Sequence, residues 1–67
     1  MTIRVNDERR DVAAAATLQD LLRELALVER RGVAVAVNDE VVPRTSWPTR
    51  ALVERDHVLI IQAAQGG

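Results

Sequence analysis

The chain offers few side chains with which to do chemistry. His57 is the only histidine and there is no cysteine, so a metal site with several ligands cannot be assembled around it. It stands beside Asp56 at an expected turn and reads as a solvated turn histidine. Ser46 has no histidine near it in a recognisable nucleophile motif. The only glycines are Gly32, Gly66 and Gly67, which leaves no glycine-rich phosphate loop. Asp7 with Glu8 and Asp39 with Glu40 are adjacent carboxylates in expected turns, and side chains at i and i+1 rarely share a site. A self-contained enzyme is not expected from this set.

The end of the chain is different. Ala63-Ala64-Gln65-Gly66-Gly67 carries no charged side chain and finishes on two glycines, a pair that chance supplies about once in 200 at ordinary glycine usage. Lacking side chains, Gly66 and Gly67 are slim enough to thread a narrow channel and tolerate backbone angles closed to other residues. The reactive group would be the α-carboxylate of Gly67, ionised at neutral pH with a pKa near ~3.5. A carboxylate resists nucleophiles. Adenylation with ATP supplies AMP as a leaving group, and a sulfur donor can displace it to leave a terminal thiocarboxylate. A protein without cysteine could carry sulfur in this way. A frayed end or an expression remnant is the bland alternative.

Composition bounds the rest. With 67 residues there is room for one domain and a modest core. The hydrophobic share is 48%, much of it alanine and valine, and Trp47 is the only aromatic residue. A net charge of −1 creates no field favouring nucleic acid or an anionic membrane. All nine basic residues are arginine, so no lysine amine is available. No apolar run approaches the ~20 residues of a membrane span, and the start lacks a signal-peptide pattern. The expectation is a cytoplasmic protein, monomeric when free, binding no metal.

The elements that must position the tail follow from patterning. Thr2 to Val5 alternates and reads as a strand. Asn6-Asp7-Glu8 is a turn, and Arg9 to Val12 returns as a second strand, although the turn lacks an Asn-Gly or Asp-Gly pair. Thr17 with Asp20 forms a capping-box pattern. Leu18, Leu21, Leu22 and Leu25 make one helical stripe, which places a helix at about Leu18 to Val28, with Gly32 as its stop. Val33 to Val37 reads as a strand. A turn at Asn38-Asp39-Glu40 and a short strand Val41-Val42, ended by Pro43, come next. Thr45 to Leu52 is irregular with one helical turn. Val58 to Ile61 is the most hydrophobic run and is expected as a central strand covered on both faces. The order suits an α+β sheet with a single helix across one face, spanning 1–62, and a flexible tail at 63–67.

Several blocks together resemble the ThiS family of ubiquitin-like β-grasp sulfur carriers. They are Ile3-x-Val5-Asn6-Asp7, Thr17-Leu18-x-Asp20-Leu21-Leu22-x-x-Leu25, Gly32-Val33-Ala34-Val35-Ala36-Val37-Asn38, Val41-Val42-Pro43-Arg44 with Trp47 three residues on, Asp56-x-Val58, the strand through Ile61-Gln62, and Gly66-Gly67. The likeness runs the length of the chain. The departures are Arg55-Asp56-His57, where the family often has Asp-Gly-Asp, and the loosely family-like Ala63-Ala64-Gln65.

The resemblance implies a β-grasp fold with a mixed sheet of four to five strands, no cofactor of its own, and a role as protein co-substrate in making the thiazole of thiamine. A ThiF-like enzyme would use ATP to adenylate Gly67. A sulfurtransferase or cysteine desulfurase would deliver sulfur, and the thiazole synthase ThiG would receive it. Gly66 and Gln65 would thread the partner's active site. By analogy with ubiquitin-like proteins, Leu59 and Ile61 fall on a docking face, with Val58 and Ile60 in the core. Arg44 is either a plain surface arginine or a partner to an acidic patch on the activating enzyme. Trp47 is expected as a core anchor. MoaD-like carriers for molybdopterin, other sulfur-transfer proteins and ubiquitin-like modifiers share fold and tail and stay open as alternatives, as does a plain interaction module using its sheet face.

Overall fold

The computed structural model describes residues 1–63. Five strands and one helix follow in chain order: β1 (Thr2–Val5), β2 (Glu8–Asp11), α1 (Leu18–Glu24), β3 (Val33–Val37), β4 (Glu40–Val41) and β5 (His57–Gln62), with a 3-10 turn at Arg44–Ser46 before β5. The sheet order is β2-β1-β5-β3-β4. β1 and β5 run parallel, with Arg4 opposite His57 and Val5 opposite Val58; β3 runs antiparallel to β5 from Val33↔Gln62 to Val37↔Val58. The last strand therefore lies at the centre of a mixed sheet, as its hydrophobicity implied.

Both hairpins turn on the same dipeptide. Asn6-Asp7 joins β1 to β2 and Asn38-Asp39 joins β3 to β4, and all four residues have positive φ, at 50°, 69°, 51° and 71°. Positive φ at both central positions marks a type I′ turn, whose twist matches the strands it connects. Asparagine and aspartate tolerate this region better than most residues, so the hairpins close without the glycine that would have announced them.

Thr17 caps α1 as its pattern implied. The Asp20 N–H donates to the Thr17 hydroxyl at 3.2 Å, and the Thr17 N–H donates to the Asp20 carboxylate at 2.9 Å. The helix is shorter than its leucine stripe suggested. It ends at Glu24 because Ala26 turns left-handed, φ 61°. The Leu27 N–H then reaches the Leu22 carbonyl at 2.8 Å and the Ala26 N–H reaches that of Arg23 at 3.0 Å, the paired bonds of a Schellman stop. Gly32, expected as the stop, serves a later turn into β3 at φ 74°.

The core lies between the helix and one sheet face. Leu18, Leu21, Leu22, Ile3, Val37 and Val58 are fully buried, and Val35, Trp47 and Leu52 nearly so. Leu25, at the end of the stripe, is only partly buried. Trp47 Nε1 donates to the Val42 carbonyl at 3.0 Å, which satisfies the one polar group of a buried indole. The opposite sheet face has no covering layer among the described residues. The expectation that β5 is covered on both faces is corrected to one: Leu59 is 46% and Ile61 56% exposed.

Candidate functional site

The structure places the base of the tail at the end of the central strand. Ala63 still belongs to the sheet, for its N–H donates to the Gly32 carbonyl at 2.8 Å. Gln65, Gly66 and Gly67, the residues on which the chemistry was expected, lie outside the described residues.

Three polar side chains hold β5 in place. Asn6 Nδ2 donates to the Ile60 carbonyl at 3.2 Å, and Asn6 Oδ1 accepts from the Ile60 N–H at 2.8 Å. The amide thus continues the parallel ladder one step after the β1 main chain has turned away. Asn38 Oδ1 accepts from the His57 N–H at 2.9 Å while its Nδ2 donates to Asp56 Oδ1 at 2.9 Å. Asp56 is the single buried charged residue among the described residues, 4% exposed, and its other oxygen accepts from the Val53 N–H at 2.8 Å. A buried carboxylate without such donors would be expensive. Sequence reasoning saw three turns here, at Asn6-Asp7, Asn38-Asp39 and Asp56-His57, and missed that both turn asparagines and Asp56 clamp one strand. The signal was the repeated Asn-Asp pair, one member preceding each strand that returns to the sheet edge.

Leu59 and Ile61 sit where the parity of β5 put them, on the open face, and Val58 is buried with Ile60 partly so. The register sets Ala36 opposite Leu59 and also opposite Val41 of β4, and Ala34 opposite Ile61. Small alanines therefore floor a shallow apolar patch rimmed by Leu59, Ile61 and the 74% exposed Val41. On the other flank Arg4 faces Arg9 across β1 and β2, a like-charged pair that weakens a sheet on its own. Exposed His57 begins β5, its Nε2 3.6 Å from Asp7.

Arg44 does not join this face. Its guanidinium donates to the carbonyls of Val28 at 2.5 Å and Arg30 at 2.6 Å and lies 4.5 Å from the centre of the Trp47 ring. It braces the loop after the helix against the core tryptophan, on the helix side of the sheet. No cluster of His, Cys, Asp or Glu suited to a metal occurs among the described residues, and no helix among them is long and apolar enough to cross a membrane.

The ThiS family model matches residues 3–67, the terminal glycines included. The chain is 34% identical to the sulfur carrier protein ThiS of Escherichia coli over 67 residues, the whole of both chains. It is 37% identical over the same 67 residues to a thiazole synthase of Paramagnetospirillum magneticum, of which it spans 20%. Among solved structures, the crystal structure of a thiamine biosynthesis protein (ThiS) from Geobacter metallireducens matches with a TM-score of 0.83 at 26% identity, covering all of both chains.

Proposed function

The chain belongs to the ThiS family of β-grasp proteins, and on that footing we propose that it is the sulfur carrier for the thiazole of thiamine, with the Gly67 carboxylate as its working group. It is a small carrier rather than a catalyst. The observation that carries the reading is that the family match runs through Gly66 and Gly67.

The chemistry runs in two displacements. The Gly67 carboxylate attacks the α-phosphorus of ATP on a ThiF-like enzyme, forming the acyl-adenylate and releasing pyrophosphate. A sulfide-level nucleophile, released from the persulfide of a sulfurtransferase or cysteine desulfurase by a thiol that is itself oxidised to a disulfide, then attacks the acyl carbon and expels AMP, leaving the thiocarboxylate. Glycine at positions 66 and 67 keeps the backbone slim inside the activating site, and Gln65 is the first side chain that site must admit. ThiG is the acceptor of the sulfur, a reading supported by the thiazole synthase that contains a segment like this whole chain. The location that suits these partners is the cytoplasm. Leu59 and Ile61, with Val41 beside them, form the docking face.

Intact-mass analysis after incubation with ATP, an adenylating enzyme and a sulfur source tests the proposal. The expected product is the carrier heavier by one oxygen-to-sulfur exchange, lost on deletion of Gly67. High-mass conjugates in place of that product would instead identify a protein modifier.

A further inference from the structure

The edge of β5 beside the tail is unpaired, and it opens onto a cleft with an apolar floor and a polar rim of Asn6, Glu8, Arg9 and Arg10. Along β5 the main-chain groups alternate between neighbours. The Asp56 and Val58 carbonyls accept from the Arg4 and Asn6 N–H groups, both at 2.9 Å, and Ile60 exchanges both its bonds with the Asn6 side chain. The His57 carbonyl and the Ala63 N–H pair on the opposite, β3 side. By this alternation the N–H and C=O of Gln62 point to the β1 side. There β1 has already turned back at Asn6-Asp7, so no strand among the described residues stands opposite them. The cleft along this edge, about 370 Å³, is lined by Val5, Leu25, Leu27, Ile60, Gln62 and Arg10, among others. It exists because α1 stops at Glu24 and leaves this end of the sheet uncovered. Arg10 contributes the one buried side-chain polar atom among the described residues with no hydrogen-bond partner, its Nε, while its Nη2 holds Glu24 at 3.3 Å.

On the carrier reading the working carboxylate is that of Gly67, four positions beyond Ala63, a span of at most roughly 14 Å when fully extended. An enzyme that acts on Gly67 in a site closed to water must bring its channel mouth against the surface around Gln62. We infer that an extended segment at that mouth adds to the free edge of β5. Its main chain pairs with Gln62, and it places an apolar side chain between Leu25, Leu27 and Ile60. Strand addition of this kind draws affinity from main-chain bonds and selectivity from alternate side chains. The inference rests on the carrier reading above and names a second contact besides the open sheet face.

Amide exchange of the isotope-labelled wild-type chain, free and bound to the adenylating enzyme of the same genome, tests it without a variant. The Gln62 amide is expected to exchange freely in the carrier alone and at least about tenfold more slowly in the complex, as one added hydrogen bond implies, whereas the Leu59 amide, already paired to β3, is slow in both. Gln62→Pro is the companion variant, since it removes an N–H that no internal bond uses. It is expected to leave the thermal midpoint unchanged and raise the KM for the carrier in pyrophosphate exchange about tenfold, with kcat retained. A Gln62 amide equally exposed in the free and bound carrier overturns the docking edge. Activation that still requires Gly67 would in that case leave the carrier reading standing, and activation that survives deletion of Gly67 would remove that reading instead.

Discussion

Several residues hold backbone angles that their side chains make expensive. Arg55 has φ 71° at the turn into Asp56, where its N–H donates to the Thr2 carbonyl at 2.8 Å. A non-glycine residue in the left-handed region is disfavoured by about 1–2 kcal/mol. Arg55→Gly recovers part of this while loosening the unfolded chain, so a net gain of about 1 kcal/mol in urea denaturation is expected. Asn6 is the converse case. Asn6→Ala sets an alanine at φ 50° and strands the Ile60 N–H and C=O, and a loss of about 1–3 kcal/mol is expected, with faster amide exchange centred on the β1–β5 seam. The sequence marked Asn6 and Asn38 only as turn residues. Their reach to β5 depends on which strand comes to lie beside each turn, a tertiary fact that no local pattern encodes.

At the scale of elements, what could be read depended on whether the signal was local. The capping box is a four-residue grammar, Thr17 to Asp20, and was legible. So were the alternation of Val33 to Val37, the central position of β5, and the parity that exposes Leu59 and Ile61. The helix end was misjudged because the apolar stripe through Leu25 outlasts the helix, and because alanine at position 26 gives no hint that it turns left-handed. Ala26→Gly is expected to raise stability by about 1 kcal/mol for that reason. The role of Arg44 was left undecided by its sequence, since its two carbonyl acceptors sit on a loop 14 and 16 residues away. The cap also sets an acid response. The main-chain N–H and then the hydroxyl of Thr17, with a smaller contribution from Arg23, hold the Asp20 carboxyl below its usual value. Its folded pKa thus lies under the unfolded one, near ~3.9. The cap's contribution is complete above that pH and fades as pH falls through the lower folded value. Asp20→Asn is expected to flatten the acid limb of a stability-versus-pH curve while leaving other limbs in place.

At the scale of the molecule, one sheet face is filled by the helix and the other is open, which separates stability from recognition. Leu59→Glu alters a side chain 46% exposed and is expected to shift stability by no more than about 0.5 kcal/mol while weakening capture by the adenylating enzyme, as titration calorimetry would register. Retained capture would remove Leu59 from the docking face. The geometry of β5 carries one more implication. A partner that draws on the last residue pulls along the axis of a strand flanked on both sides, parallel to β1 and antiparallel to β3. That load falls on many main-chain bonds at once, in shear, and does not peel them open singly from an edge. The molecule is therefore built to be tugged by its business end without unravelling, whereas traction applied sideways at β2 or β4 would unzip it.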